Sequence, residues 1–370
     1  MQLNKIKLHS CTTFASAQSQ ITLDDDYNVP DYRPDIVKVL KEKGELQFDE
    51  VKAAAGAAWL KGRLVFKVLY RSDQDNAKIS CLKGEIPFQE KLNMDGVQEY
   101  DVIQASGEIE DLTIGVIHSR KISVRAVILL KTEEPREKED ELCVGIEADD
   151  GCEKRYRNTN ILQLLCMKRD QCRQKSEITL PSSKPNVQEI LWKSLEIRNL
   201  DTKMGQDGVK LSGEVLISVL YQEEEETDRV QWYETVIPLD CGVECDAGTE
   251  ADIIYKVKAR TASMELEVKP DYDGEERVLV LELVMNLDIR VWKEQEISML
   301  EDVYSLKQEI IPVCTGVTLH HISVKNDSQC RLTEQMELAE SQEKILQICS
   351  CEGTVHLEST ELTEQGVRAE

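Results

Sequence analysis

VPDYRPDIVKVL, Val29 to Leu40, and LPSSKPNVQEIL, Leu180 to Leu191, decide the fold when laid side by side. A shift of 151 residues superposes them without a gap, bringing Pro30 onto Pro181, Pro34 onto Pro185 and Leu40 onto Leu191. The same shift carries LKGRLVFKVLY (Leu60 to Tyr70) onto LSGEVLISVLY (Leu211 to Tyr221), and Ile86-Pro87 onto Ile237-Pro238. Matches in three separated places at one offset mark an internal duplication.

A third copy opens near the C-terminus. A shift of 158 residues lays Gln171-Cys172-Arg173 on Gln329-Cys330-Arg331 and Gly208-Val209 on Gly366-Val367. In that register Val187, Ile190 and Leu191 meet Ile345, Ile348 and Cys349. The counterpart of GEVLISVLY does not follow. Two accounts stay open: a piece of a longer protein, or a C-terminal remnant that packs elsewhere.

Within each full unit the pattern is mainly strand. RLVFKVLY and EVLISVLY are aliphatic runs ending in Tyr70 and Tyr221 and bounded by Gly62 and Gly213. KISVRAVILLK (Lys121 to Lys131) and RVLVLELVMNLDIRVW (Arg277 to Trp292) begin in strict alternation and then turn nearly continuously apolar. Alternation argues for one buried face, continuity for deeper burial. Polar stretches such as Asp73 to Asn76 and Asp271 to Gly274 supply the turns. The expected organisation is an N-terminal segment 1–19, a first repeat 20–134, an ordered connector 135–175, a second repeat 176–296, a connector 297–333, and the opening of a truncated third repeat, 334–370.

The proline-framed joint predicts a short helix. Pro34 suits a first helical position, Asp35 suits the positive end of the helix dipole, and Ile36, Val39 and Leu40 make an i, i+3, i+4 stripe. The counterparts are Pro185, Val187 and Leu191. The fold class expected is therefore mainly β: tandem β-sandwich-like repeats, each with one short helix near its start. What recurs is the structural signature; Asp31, Tyr32 and Asp35 are replaced in the second copy and are the candidates for a contact special to the first.

Charge narrows the function classes. With 70 acidic against 45 basic residues the net charge is −25, a field that repels phosphate backbones and anionic membranes. No stretch approaches the ~18 apolar residues of a membrane span, and no signal-peptide core is present. Cytosolic synthesis is expected, with the twelve scattered cysteines mostly reduced.

The pattern Tyr27-x-Val29-Pro30-Asp31-x-x-Pro34-Asp35-Ile36-x-x-Val39-Leu40, then Leu60-x-Gly62, Val68-Leu69-Tyr70 and Ile86-Pro87-Phe88, resembles the SPOCS domain. That domain occurs in spore coat assembly proteins of endospore-forming Firmicutes similar to SipL, often in tandem and followed by a LysM module. The resemblance covers about residues 20–134 and 176–294, with 329–370 matching the opening of another unit. The second unit departs from it at Asn186 and Leu239, and no LysM module is present. The resemblance implies a non-enzymatic adaptor made in the mother-cell cytoplasm and then held at the forespore surface in the spore coat. Its implied partners are other coat morphogenetic proteins, among them the basement-layer coat ATPase, whose contact in that family lies largely on the LysM part, with self-association as a further possibility.

Chemistry is hard to find. Phosphate loops and nucleophile elbows are absent. His320 and His321 are adjacent, so on a strand they point to opposite faces. Cys241-x-x-x-Cys245 and Cys349-x-Cys351 have no matched second pair for zinc, and burial is the plainer account of Cys349. The acidic runs Asp24 to Asp26, Glu223 to Glu226 and Asp271 to Glu276 read as solvated turns, since a calcium loop would need a glutamate in register at its end. No catalytic residue, metal or cofactor is expected. The alternative function is a carbohydrate- or peptidoglycan-fragment-binding module of the spore envelope. It would want aromatics on one sheet face, and Trp59, Trp192, Trp232 and Trp292 do not recur between copies.

Overall fold

Period-two alternation turns most of the chain as far as Ser305 into long antiparallel strands. The computed structural model describes residues 2–369 except 73–77, 148–151, 206, 225–228, 246–252, 308, 323–330, 339–343, 346–347, 350, 352, 354–358 and 364–365. The expected turn Asp73 to Asn76, the acids Glu225 and Glu226, and Gln329-Cys330 lie outside the described residues.

The first unit contains β1 (Gln2–Asn28), β2 (Ile36–Ala54), β3 (Ala57–Ser72), β4 (Ile79–Asn93), β5 (Gln104–His118) and β6 (Lys121–Glu147). They form two sheets, β2-β3-β4 and β1-β6-β5. The second unit repeats the plan with β7 (Cys152–Thr179), β8 (Val187–Gly205), β9 (Gly208–Glu223), β10 (Val230–Glu244), β11 (Ile253–Pro270) and β12 (Glu276–Ser305), in sheets β8-β9-β10 and β7-β12-β11. Each sandwich core is supplied mainly by its two central strands. Leu64, Phe66, Val68 and Tyr70 pack with Ile122, Val124, Ala126, Ile128 and Leu130. In the second unit Val215, Ile217, Val219 and Tyr221 pack with the alternate residues Leu279 to Val291. At roughly 1.5–3 kcal/mol for each large aliphatic side chain removed from water, these two ladders are the main drive to fold.

The expected helix is absent: among the described residues there is none, and Ile36–Ala54 and Val187–Gly205 are strands. The helix-like spacing has another cause. β2 carries register shifts between Ile36 and Lys38 and again between Val39 and Lys41, and β8 carries them between Val187 and Glu189 and between Ile190 and Trp192. Each bulge inserts one residue, so core-facing positions fall three apart where a regular strand would put them two apart. Ile36 and Val39 accordingly join the core, while Leu40, on the bulge, is 46% exposed. Gly62, opposite a third irregularity after Phe48, lets two backbones approach. A Cβ there would collide with the Gln47 carbonyl and lie 2.8 Å from the Phe88 ring.

The long strands continue past the sandwiches. Gln2 to Thr13 pair with Pro135 to Glu147, and Cys152 to Asn160 pair with Glu296 to Ser305. These extensions meet through Leu8, Leu142, Ile161 and Ile297, a cluster that Val317 and Leu319 also join. There the Leu162 amide donates to the His320 carbonyl at 2.8 Å. Further on, β13 (Thr360–Thr363) and β14 (Gly366–Ala369) pair Thr363 with Gly366 and Leu362 with Val367. At the 158-residue shift this is the register of Gly205 with Gly208 and Met204 with Val209. Ile345, Ile348 and Cys349 are exposed and form no helical stripe.

The cysteines are not all reduced. Cys172 on β7 and Cys241 on β10 are joined in a disulfide with a Cα–Cα distance of 6.1 Å, binding the edge of one sheet to the edge of the other.

Candidate interaction site at the arginine-clasped turn

Pro30 and Pro34 remove two amide donors from the link between β1 and β2, which favours leaving the sheet there. Pro30 to Arg33 form a turn closed by the Arg33 amide on the Pro30 carbonyl at 2.9 Å. The ends are tied to the β5–β6 turn: the Val29 amide donates to Arg120 O (2.9 Å) and the Ile36 amide to Ser119 O (2.8 Å). Arg120 then reaches back across the link. Its Nη1 donates to Arg33 O (2.6 Å) and Asp35 Oδ1 (3.1 Å). Its Nη2 donates to Pro30 O (2.9 Å) and Val29 O (3.1 Å), with Asp31 Oδ1 at 3.4 Å. From below, the buried Tyr70 hydroxyl donates to Pro34 O at 3.0 Å. A guanidinium offers five fixed donors, which is what a knot of carbonyls outside any sheet ladder needs.

The second unit builds the same clasp with Arg277, 157 residues beyond Arg120. Arg277 Nη2 donates to Pro181 O (2.9 Å) and Lys184 O (3.0 Å), and Nη1 donates to Asn186 Oδ1 (3.1 Å). Tyr221 donates to Pro185 O at 3.2 Å. Asn186 stands where the first unit has Asp35. Its amide nitrogen also donates to Glu224 Oε2 at 3.2 Å, a partner that a carboxylate would repel.

Two of the three candidate contact residues are held outward by this frame. Tyr32 is 80% exposed and lies against its neighbour Arg33, whose Cζ is 5.5 Å from the ring centroid. Asp31 is fully exposed, whereas Asp35 is drawn into the clasp. The second unit has Ser182 and Ser183 at the turn, and presents Tyr272 instead from the loop leading to Arg277. That loop is an ordinary turn: Asp271 Oδ1 accepts from the amides of Asp273 (2.9 Å) and Glu275 (3.0 Å). Sequence reading missed Arg120 and Arg277. The signal was a shared arginine just before each alternating run, hidden because the offset grows from 151 to 157 residues across a longer β11–β12 connection.

Arg33 also ties the turn to the other unit, its Nη2 lying 2.7 Å from Glu189 Oε1. Beside this pair, Leu191 and Trp192 of β8 pack on the outer face of the first unit's sheet, against Leu69, Ile79 and Cys81. Burial there pushes the Cys81 thiol up to about 11, so it stays protonated. Burial above all holds the Lys67 and Lys193 amines below the usual lysine range, with Lys83 and Lys43 adding repulsion at Lys67 and Lys67 and Lys83 adding it at Lys193. On a further side Gln104 Nε2 donates to Asp288 Oδ2 at 2.9 Å. Among the described residues no three His, Cys, Asp or Glu side chains gather as a metal-holding group.

Comparison with known proteins agrees with the repeat. The family model described as SipL, SPOCS domain, matches residues 35–117 and again residues 186–269. Neither curated proteins nor solved structures yield a match. Both matched segments begin at the clasp residue, Asp35 or Asn186, and run through β2 to β5 or β8 to β11. The chain thus matches the SPOCS-domain model of SipL twice in tandem, and the likeness points to sporulation and the spore coat.

Proposed function

We propose that the chain is a non-enzymatic structural adaptor of spore coat or envelope assembly, acting by protein–protein contact through the first unit's clasped turn. The supporting observation is the presentation of Tyr32 and Asp31: exposed, on a turn whose backbone is immobilised by Arg120, and replaced by serines in the other copy. An exposed tyrosine on a rigid turn loses little conformational entropy on binding, which is why tyrosines anchor interfaces. The carbohydrate-binding alternative has less behind it: Trp192 is buried between the units, Tyr32 and Tyr272 sit on turns, and of the four tryptophans Trp59 on β3 is the one that stands exposed, at 39%. Proposed partners are other coat morphogenetic proteins, including the basement-layer ATPase; the proposed route runs from mother-cell cytoplasm to forespore surface.

The test is a fluorescent fusion of the full chain followed in sporulating cells, alongside binding of the purified chain to the purified ATPase. The double variant D31A/Y32A should lose the forespore ring, with an unchanged melting temperature. Unaltered localisation would place the contact elsewhere, and binding to purified peptidoglycan fragments would favour the alternative.

A further inference from the structure

Four cysteines line the seam where the two sheets of the second unit meet. Cys166 and Cys172 belong to β7, Cys241 to β10, and Cys245 follows β10 by one residue. Even spacing within each strand turns each pair toward one face. That face is the core: Cys172 and Cys245 are buried in it, and Cys166 and Cys241 pack against it. Cys172 and Cys241 are already joined, and the Sγ atoms of Cys245 and Cys166 are 3.3 Å apart. Closing that gap to a bond of about 2.0 Å needs a movement of little more than an ångström.

A zinc site does not explain the cluster. Four residues along a strand span roughly 13 Å, whereas four sulfurs on one zinc must lie within about 4 Å of one another. The cysteines are therefore two separate pairs on one seam. The first unit shows the cysteine-free equivalent. The 151-residue shift places Cys166 on Ala15 and Cys245 on Met94, and Ala15 packs against the small apolar cluster that holds the buried Met94. The same shift places Cys241 on Glu90, which accepts from Ser19 Oγ on β1 at 2.9 Å. One unit thus closes its seam by packing and a hydrogen bond; the other has sulfur at both levels.

We propose that Cys166 and Cys245 form a second disulfide, making the β7–β10 seam of the second unit a two-cystine staple closed by thiol–disulfide exchange. With glutathione disulfide as oxidant, the more accessible Cys166 attacks one sulfur as its thiolate, breaking the S–S bond and releasing one glutathione thiolate. Cys245 then attacks the Cys166 sulfur of the mixed disulfide and releases the second. The protein loses two protons and two electrons; the oxidant becomes two glutathione molecules.

The experiment incubates the purified full chain with glutathione disulfide, alkylates remaining thiols and maps disulfide-linked peptides without reduction. Trypsin with a glutamyl endopeptidase cuts after Glu244 and so separates Cys241 from Cys245. The expected result is a Cys166–Cys245 peptide as the dominant new species, two hydrogens lighter than its thiol parts, with Cys81 still alkylated. The variant C172A/C241A should still form it. The variant C166A/C245M, which copies the first unit's packing, should lose both the linked peptide and the oxidation-dependent rise in melting temperature. Persistent alkylation of Cys166 and Cys245, stable glutathione adducts on them, or their linkage to other cysteines would overturn the proposal. The wild-type map decides the matter even if a variant folds poorly.

Discussion

Arg120 brings one guanidinium to three backbone carbonyls, those of Val29, Pro30 and Arg33, that no strand pairs with. Hydrogen bonds to a charged group count for more than neutral ones, so R120A should destabilise the first unit by about 2–3 kcal/mol. R120K should recover little, because an ammonium cannot span the fork. Hydrogen exchange is the measurement: amides of Val29 and Ile36 should exchange faster in R120A, with those of Leu180 and Val187 unchanged. The Asp35/Asn186 difference is the second case at this scale. An aspartate at 186 would keep Arg277 but face Glu224, so N186D should lower the melting temperature of the second unit at neutral pH. N186D/E224Q should restore it; additive effects in this cycle would show that the two side chains do not interact. The sequence displayed the exchange of residues without its reason, because Glu224 is distant along the chain.

Strand β2 shows what a local pattern can and cannot carry. The prolines, glycines and aliphatic ladders were legible because each acts locally or through a period-two pattern. The stripe Ile36, Val39, Leu40 was misread because two bulges in a strand imitate helical spacing, and bulges are set by the partner β3 rather than by β2. Arg120 was invisible for a related reason: its role depends on a turn about 90 residues away. The corrected register separates residues that a helix would treat alike. I36D should abolish folding of the first unit, since Ile36 is 2% exposed and a buried unpaired charge costs several kcal/mol. L40D should leave circular dichroism and melting nearly unchanged, whereas L191D, at the equivalent but buried position, should be strongly destabilising. Equal damage from L40D and I36D would reinstate a helical face. G62A should cost about 1–3 kcal/mol, because its methyl would collide with the Gln47 carbonyl and the Phe88 ring.

At the scale of the whole molecule the duplication is not two beads on a string. One end of the outer face of the first unit's sheet, around Leu69 and Cys81, is covered by β8, and two lysines, Lys67 and Lys193, are held in the join near Val65, Leu195 and Met264. Burial is the first cause of the depressed Lys67 amine, and the neighbouring Lys83 and Lys43 add repulsion. A lysine whose folded pKa lies below its unfolded value destabilises the fold while both states are protonated. As pH rises through the depressed value the folded state sheds its proton first, and stability is regained until the unfolded chain titrates as well. K67M, which keeps the aliphatic stem and removes the charge, should therefore stabilise the chain against urea at pH 7. The advantage over wild type should shrink at about pH 10, near the ordinary lysine pKa. Calorimetry should show the gain as a higher melting temperature for K67M at pH 7. A gain from K67M that stays the same at both pH values would mean that packing, and not the trapped charge, governs how the two units are joined.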